Sequence, residues 1–118
     1  MDFVTKDSGM REEFATGAVR DTQEEKGRFD LLPYRALKRV AQLYARGAVK
    51  YDDHNWRKGI PMSRCASAML RHAFQAVNGE DDEEDHWAAV VFNALAVMEY
   101  REQGRTDLDD LYKGGQDE

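Results

Sequence analysis

Cysteine is almost missing from this chain: Cys65 stands alone, so no internal disulfide can form, which points to a reducing compartment. No apolar run approaches the ~20 residues of a membrane span, and residues 1–11 are polar, without the apolar stretch of a secretory signal. The expected location is therefore cytoplasmic, with no membrane partner. Positive charge is also short: 17 Lys and Arg against 23 Asp and Glu give a net charge of −6. That excludes a general binder of nucleic-acid polymers, which needs a basic face, but leaves room for a basic pocket for one small anion. No Gly-rich phosphate loop is present, so this is not a P-loop protein. A zinc-spaced Cys/His set is missing, and no stretch shows a sustained strand alternation.

Helical patterning is what remains. Pro33 suits a first helical turn, and Leu37, Val40, Ala41, Tyr44 and Ala48 form one apolar stripe on a helix ending near Lys50. Gly47 inside its last turn suggests a close backbone approach. After a loop punctuated by Gly59 and Pro61, Ser63 is the expected cap of a second helix reaching about Asn78. A third is expected over about Glu84–Gln103. From Trp87 to Met98 it is apolar nearly all round except Asn93, so it is either a central helix or a seam between subunits. The fold class is all-α: three main helices with an extended N-terminal arm, in an oligomeric helical bundle. One domain is expected over 1–118, with an arm over 1–26, a helical core over 27–104, and a short turn and frayed tail over 105–118. A chain of 118 residues buries only about two-thirds of its unfolded surface, so a homodimer or homotetramer is expected.

Chemistry-bearing residues gather in three places. His86, Asn93 and Tyr100 share one face of the third helix, with His86 and Asn93 about 10 Å apart along its axis. Asn93, among apolar neighbours, needs a polar partner, and the loop Lys50–Trp56 is expected to supply it. The second place is that loop: Lys50, Tyr51, Asp52, Asp53, His54, Asn55 and Trp56 combine a cation, carboxylates, an amide and aromatics, a set that suits a purine platform with a phosphate contact. The third is the run Glu80–Asp85 followed by His86, whose hard oxygen ligands suit magnesium or manganese. Arg71, one turn from Gln75 and beside His72, has the planar fork that recognises a phosphate.

Several blocks in one order resemble a known family. They are Thr16-Gly17-Ala18-Val19-Arg20-Asp21, Lys26-Gly27-Arg28-Phe29-Asp30-Leu31-Leu32-Pro33, Gly47-Ala48-Val49-Lys50-Tyr51, Asn55-Trp56-Arg57-Lys58-Gly59, Arg71-His72, Gly79-Glu80, and His86 with Asn93 seven residues later. Together they resemble small phage and bacterial dATP/dGTP diphosphohydrolases, functionally related to MazG-like all-α nucleotide pyrophosphohydrolases. The resemblance implies metal-assisted hydrolysis of a purine deoxynucleoside triphosphate to the monophosphate and pyrophosphate, in the host cytoplasm if the chain is phage-encoded. Arg20, Lys26, Arg28, Lys50, Tyr51, Asn55, Trp56, Arg71, His72 and Asn93 are the expected ligand-binding residues. Asp85 and His86 are the expected catalytic pair, with Glu80, Asp82 and Asp85 as metal ligands for Mg or Mn. The acidic pairs by which MazG-like enzymes hold metal have no counterpart in the first helix, since residues 34–50 contain no Asp or Glu. The alternative is a phage protein that binds without catalysis and without a cofactor, sequestering a nucleotide or a nucleotide immune signal as an anti-defence device.

Overall fold

The protein is described by a computed structural model over residues 2–111. Its contacts divide the chain into two compact units, Met1–Leu32 and Pro33–Glu118. The tail expected at 113–118 lies outside the described residues.

The first unit contains strand where an unpatterned extended arm is expected. β1 (Arg11–Glu13) and β2 (Val19–Asp21) pair antiparallel, with Glu12 opposite Arg20. Gly17, at φ +89°, turns the chain between them, and its N–H donates to the Phe14 carbonyl at 2.8 Å. Strands of three residues are too short for period-2 alternation to show in the sequence. Asp21 ties the unit together. It accepts from Ser8 Oγ at 2.5 Å, Lys26 Nζ at 3.1 Å and Arg11 Nη1 at 3.2 Å, and the Ser8 hydrogen bonds, with Lys26 adding to them, hold its carboxyl at about 2.

The second unit is all-α, as expected. α1 (Tyr34–Tyr51) starts after Pro33 and ends where Asp52 takes φ +114°. Its stripe buries Val40 and half-buries Tyr44 and Ala48, leaving Leu37 and Ala41 exposed. α2 (Met62–Val77) starts one residue before the expected Ser63 cap. Ser63 instead lies in the first turn, where its N–H and hydroxyl both donate to Asp110, at 2.8 and 2.6 Å. α3 (His86–Glu102) is capped by Asp85, whose side chain accepts from Ala88 N–H at 3.1 Å. A 3-10 turn at Thr106–Leu108 follows.

Met62, Cys65, Ala96 and Tyr100 form the core, with Trp56, Ile60, Val97, Leu108 and Leu111 packed around it. Those contacts at one end and His72 beside His86 at the other make α2 and α3 antiparallel. α1 packs on α3 through Tyr44 and Phe92, whose ring centroids are 4.8 Å apart. α3 therefore packs against both other helices, as its apolar sequence predicts. Its buried face is small or polar: His86, Ala88, Ala89, Asn93, Ala96, Tyr100. The large side chains Trp87, Val91, Leu95 and Met98 point outward, as do Leu70, Phe74 and Val77 of α2. Among the described residues no helix is long and apolar enough to cross a membrane.

Candidate functional site

The junction between α2 and α3 gathers the acidic run and two histidines. Glu83 takes φ +68° and bends the segment before α3, so that Asp82, Glu84 and His86 each present a ligand atom within 4.8 Å of the others. Asp82 Oδ1 accepts from Glu84 N–H at 3.2 Å and lies 2.7 Å from His86 Nε2. The other side of the His86 ring meets His72, Nδ1 to Nδ1, at 2.9 Å. Both histidines are buried. Burial, reinforced by the neighbouring Arg71 guanidinium, pushes the His72 imidazolium below its ordinary value, so this ring is neutral near pH 7. Partial burial works to raise the Asp82 carboxyl, but the Glu84 and His86 hydrogen bonds prevail and hold it below the usual range.

Glu80 and Asp85, expected beside Asp82 as metal ligands, are engaged elsewhere. Glu80 accepts from Gln75 Nε2 at 3.3 Å, and Gln75 in turn accepts from Arg71 at 3.4 Å. Asp85 takes a bidentate pair from Arg39, at 2.6 and 2.8 Å, besides capping α3. The Arg39 hydrogen bonds hold its carboxyl below the usual range. A carboxylate so occupied is a joint between α1 and α3 and is poorly placed for the catalytic role expected of it. Glu84 takes its place beside Asp82. Glu84 reaches the group because Glu83, in the left-handed region, turns the segment, a bend that the letters of one acidic run do not show.

At the C-terminal end of α1 lies a shallow cleft open to solvent. Tyr44, Tyr51, Trp56 and Phe92 wall it, and Asn55 and His54 supply polar edges. Three of the expected ligand residues, Tyr51, Asn55 and Trp56, thus come together there, joined by Tyr44 and Phe92, the pair through which α1 packs on α3. Gly47 borders the cleft, and a Cβ added to it meets nothing within 4 Å, so this glycine marks open space where the sequence suggests a close backbone approach. Lys50 adjoins Tyr51 of this cleft. Its ammonium lies 5.0 Å from the Tyr51 ring centroid. The Tyr51 hydroxyl and, more weakly, the Glu84 carboxylate raise it above its ordinary value.

Asn93 does not reach the Lys50–Trp56 loop: its amide donates to the Ala89 carbonyl of its own helix at 2.8 Å. A long apolar helix offers a buried amide a partner one turn back, which satisfies its donor without tertiary help. Arg71 precedes the buried His72 of the histidine pair, and its guanidinium donates to Gln75 at 3.4 Å. The remaining expected cations belong to the first unit, where Lys26 pairs with Asp21 at 3.1 Å, Arg28 with Asp30 at 2.7 Å, and Arg20 faces Glu12 across the hairpin.

Two carboxylates and an imidazole suit a divalent cation, an aromatic cleft suits a planar base, and a lysine beside the cleft suits a phosphate. Comparison with curated protein sequences and with solved structures gave no match. The family model for dATP/dGTP diphosphohydrolase, N-terminal, matches residues 16–110, and the chain belongs to this family.

Proposed function

We propose that the protein hydrolyses a purine deoxynucleoside triphosphate to the monophosphate and pyrophosphate. The observation that carries this reading is the position of Lys50, beside Tyr51 of the aromatic cleft and within electrostatic reach of Glu84 in the Asp82–Glu84–His86 group. In this reading the base stacks between the cleft's aromatic rings and Asn55 contacts its polar edge, while the triphosphate runs past Lys50 toward the start of α3. Arg71 lies beside His72 and adds a second cation for the phosphates.

The donor chemistry of Asp82, Glu84 and His86 fits Mn²⁺ or Mg²⁺, because two hard oxygens dominate and imidazole is acceptable to manganese. A divalent cation held there supplies Lewis-acid polarisation of a phosphoryl oxygen and lowers the pKa of water. The protein's own part is positioning and charge. A water oxygen attacks the α-phosphorus, the bond to the bridging oxygen of the β-phosphate breaks, pyrophosphate leaves, and the proton of the attacking water passes to solvent. Lys50 and Arg71 neutralise the charge that develops on the leaving group. Asp85 acts in this reading by holding α1 to the start of α3.

Incubating the purified chain with dATP or dGTP and Mn²⁺, with products identified by mass, tests the reading. Release of pyrophosphate and the deoxynucleoside monophosphate supports it. A second reading rests on one observation: His86 Nε2 is already satisfied by Asp82 at 2.7 Å, so the group closes without an ion. Tight binding of intact nucleotide, indifferent to chelator, establishes that sequestering function instead. The outward apolar side chains of α2 and α3 fit a homodimer or homotetramer in either case.

A further inference from the structure

His72 and His86 meet through like nitrogens, and that geometry restricts where their hydrogens lie. A single hydrogen fills the 2.9 Å gap between the two Nδ1 atoms, because two N–H groups cannot face each other and two lone pairs repel. His86 Nε2 lies 2.7 Å from a carboxylate oxygen of Asp82, which only accepts, so Nε2 carries a hydrogen. With both rings neutral, His86 Nδ1 is then a lone pair, His72 Nδ1 is the donor, and His72 Nε2 is bare.

We propose that His72 is the positioning residue for cation capture at the Asp82–Glu84–His86 group, switching tautomer together with His86. This rests on the donor-group reading above. For His86 Nε2 to ligate a cation it must present its lone pair, so the neutral ring carries its hydrogen on Nδ1. His86 Nδ1–H then donates across the gap to His72 Nδ1, and the second hydrogen of His72 moves to Nε2. The hydrogen in the gap shifts from one ring to the other, one proton leaves His86 Nε2, and one arrives at His72 Nε2. The two rings hold two such hydrogens before and after, so capture leaves their charge unchanged. His72 Nε2 is thereby converted from an acceptor to a donor. Without an acceptor at position 72, the N–H of a ligating His86 would be buried with no partner, a cost that appears as weaker binding.

The test uses the whole chain and Mn²⁺ or Zn²⁺ alone. Long-range ¹⁵N–¹H spectra of the imidazoles are expected to show His86 Nε2–H with His72 Nδ1–H in the metal-free protein. With diamagnetic Zn²⁺ the expected pattern is His86 Nδ1–H with His72 Nε2–H. Calorimetry is expected to find Mn²⁺ bound roughly 10–100-fold more weakly by His72→Phe, the usual loss when a metal-bound histidine loses its partner. His72→Asn, which restores an acceptor near the place of Nδ1, recovers most of the affinity, and circular dichroism confirms that both variants are folded. Equal affinity of wild type and folded His72→Phe overturns the proposal while leaving the donor group standing, as does a His72 tautomer that Zn²⁺ leaves unchanged. A wild type that binds neither ion overturns the donor group and the proposal with it.

Discussion

Tyr100 donates its phenolic hydrogen to the Trp56 carbonyl oxygen at 2.5 Å and accepts from Ile60 N–H at 3.2 Å, so one fully buried hydroxyl fastens the loop between α1 and α2 to α3. That loop supplies Asn55 and Trp56 to the cleft. The Tyr100 ring also packs near Trp56, with centroids 6.4 Å apart.

Tyr100→Phe keeps the ring and removes the fastening. Ile60 N–H and the Trp56 carbonyl lose a shared partner, and the expected cost is about 1–3 kcal/mol, seen as a fall of several degrees in Tm. Tryptophan fluorescence with acrylamide quenching checks the local part of the effect. An unchanged Tm shows that the loop is held by packing alone.

Asp85→Ala removes both the cap of α3 and the Arg39 pair, and is expected to cost about 1–2 kcal/mol. Asp85→Asn retains a cap acceptor and should lose less. Hydrogen bonding to Arg39 lowers the folded-state pKa of Asp85. The stability it contributes is therefore fully present above its unfolded pKa of ~3.9 and is lost as pH falls below that through the folded value. Urea melts at pH 7, 4 and 3 should show the gap between wild type and Asp85→Ala closing toward the acid end. Mn²⁺ affinity should be little changed in Asp85→Asn, because both Asp85 oxygens already serve Arg39.

Tyr51 is exposed and lines the cleft, so Tyr51→Ala can remove a stacking surface with little effect on the fold. Loss of base stacking is worth about 1–3 kcal/mol per base, so dGTP affinity should fall about 5–150-fold by calorimetry in the absence of divalent ions. Lys50→Ala should weaken dGTP more than it weakens deoxyguanosine, since it removes a phosphate contact. Equal losses for both ligands would place Lys50 at the base instead.

Phe74 and Leu95 stand on the outward faces of α2 and α3. Light scattering at micromolar concentration is expected to give a dimer or tetramer, and Phe74→Glu or Leu95→Glu to shift the mass toward a monomer with the helical signal intact. A monomeric wild type excludes the assembly.

The sequence by itself determined the three helices, because a period of 3.6 in apolar residues survives in any window long enough to hold three turns. It determined the aromatic and amide content of the Lys50–Trp56 loop and the acidic approach to α3. It also carried the family, through ordered blocks spread from Thr16 to Asn93. The hairpin in the first unit escaped because strands of three residues leave no pattern. Tertiary structure alone decided how the carboxylates divide. Asp82 and Asp85 are indistinguishable as letters in one acidic run. Yet Arg39, 46 residues earlier, claims Asp85, while His86 takes Asp82. It likewise set His72 against His86 and brought Tyr44 and Phe92 to the cleft. Such pairings depend on which helix faces pack together, a relation between distant segments that local periodicity does not encode. Asn93 is the converse case: its residue type foretold a need for a hydrogen-bond partner, and the backbone of its own helix met that need.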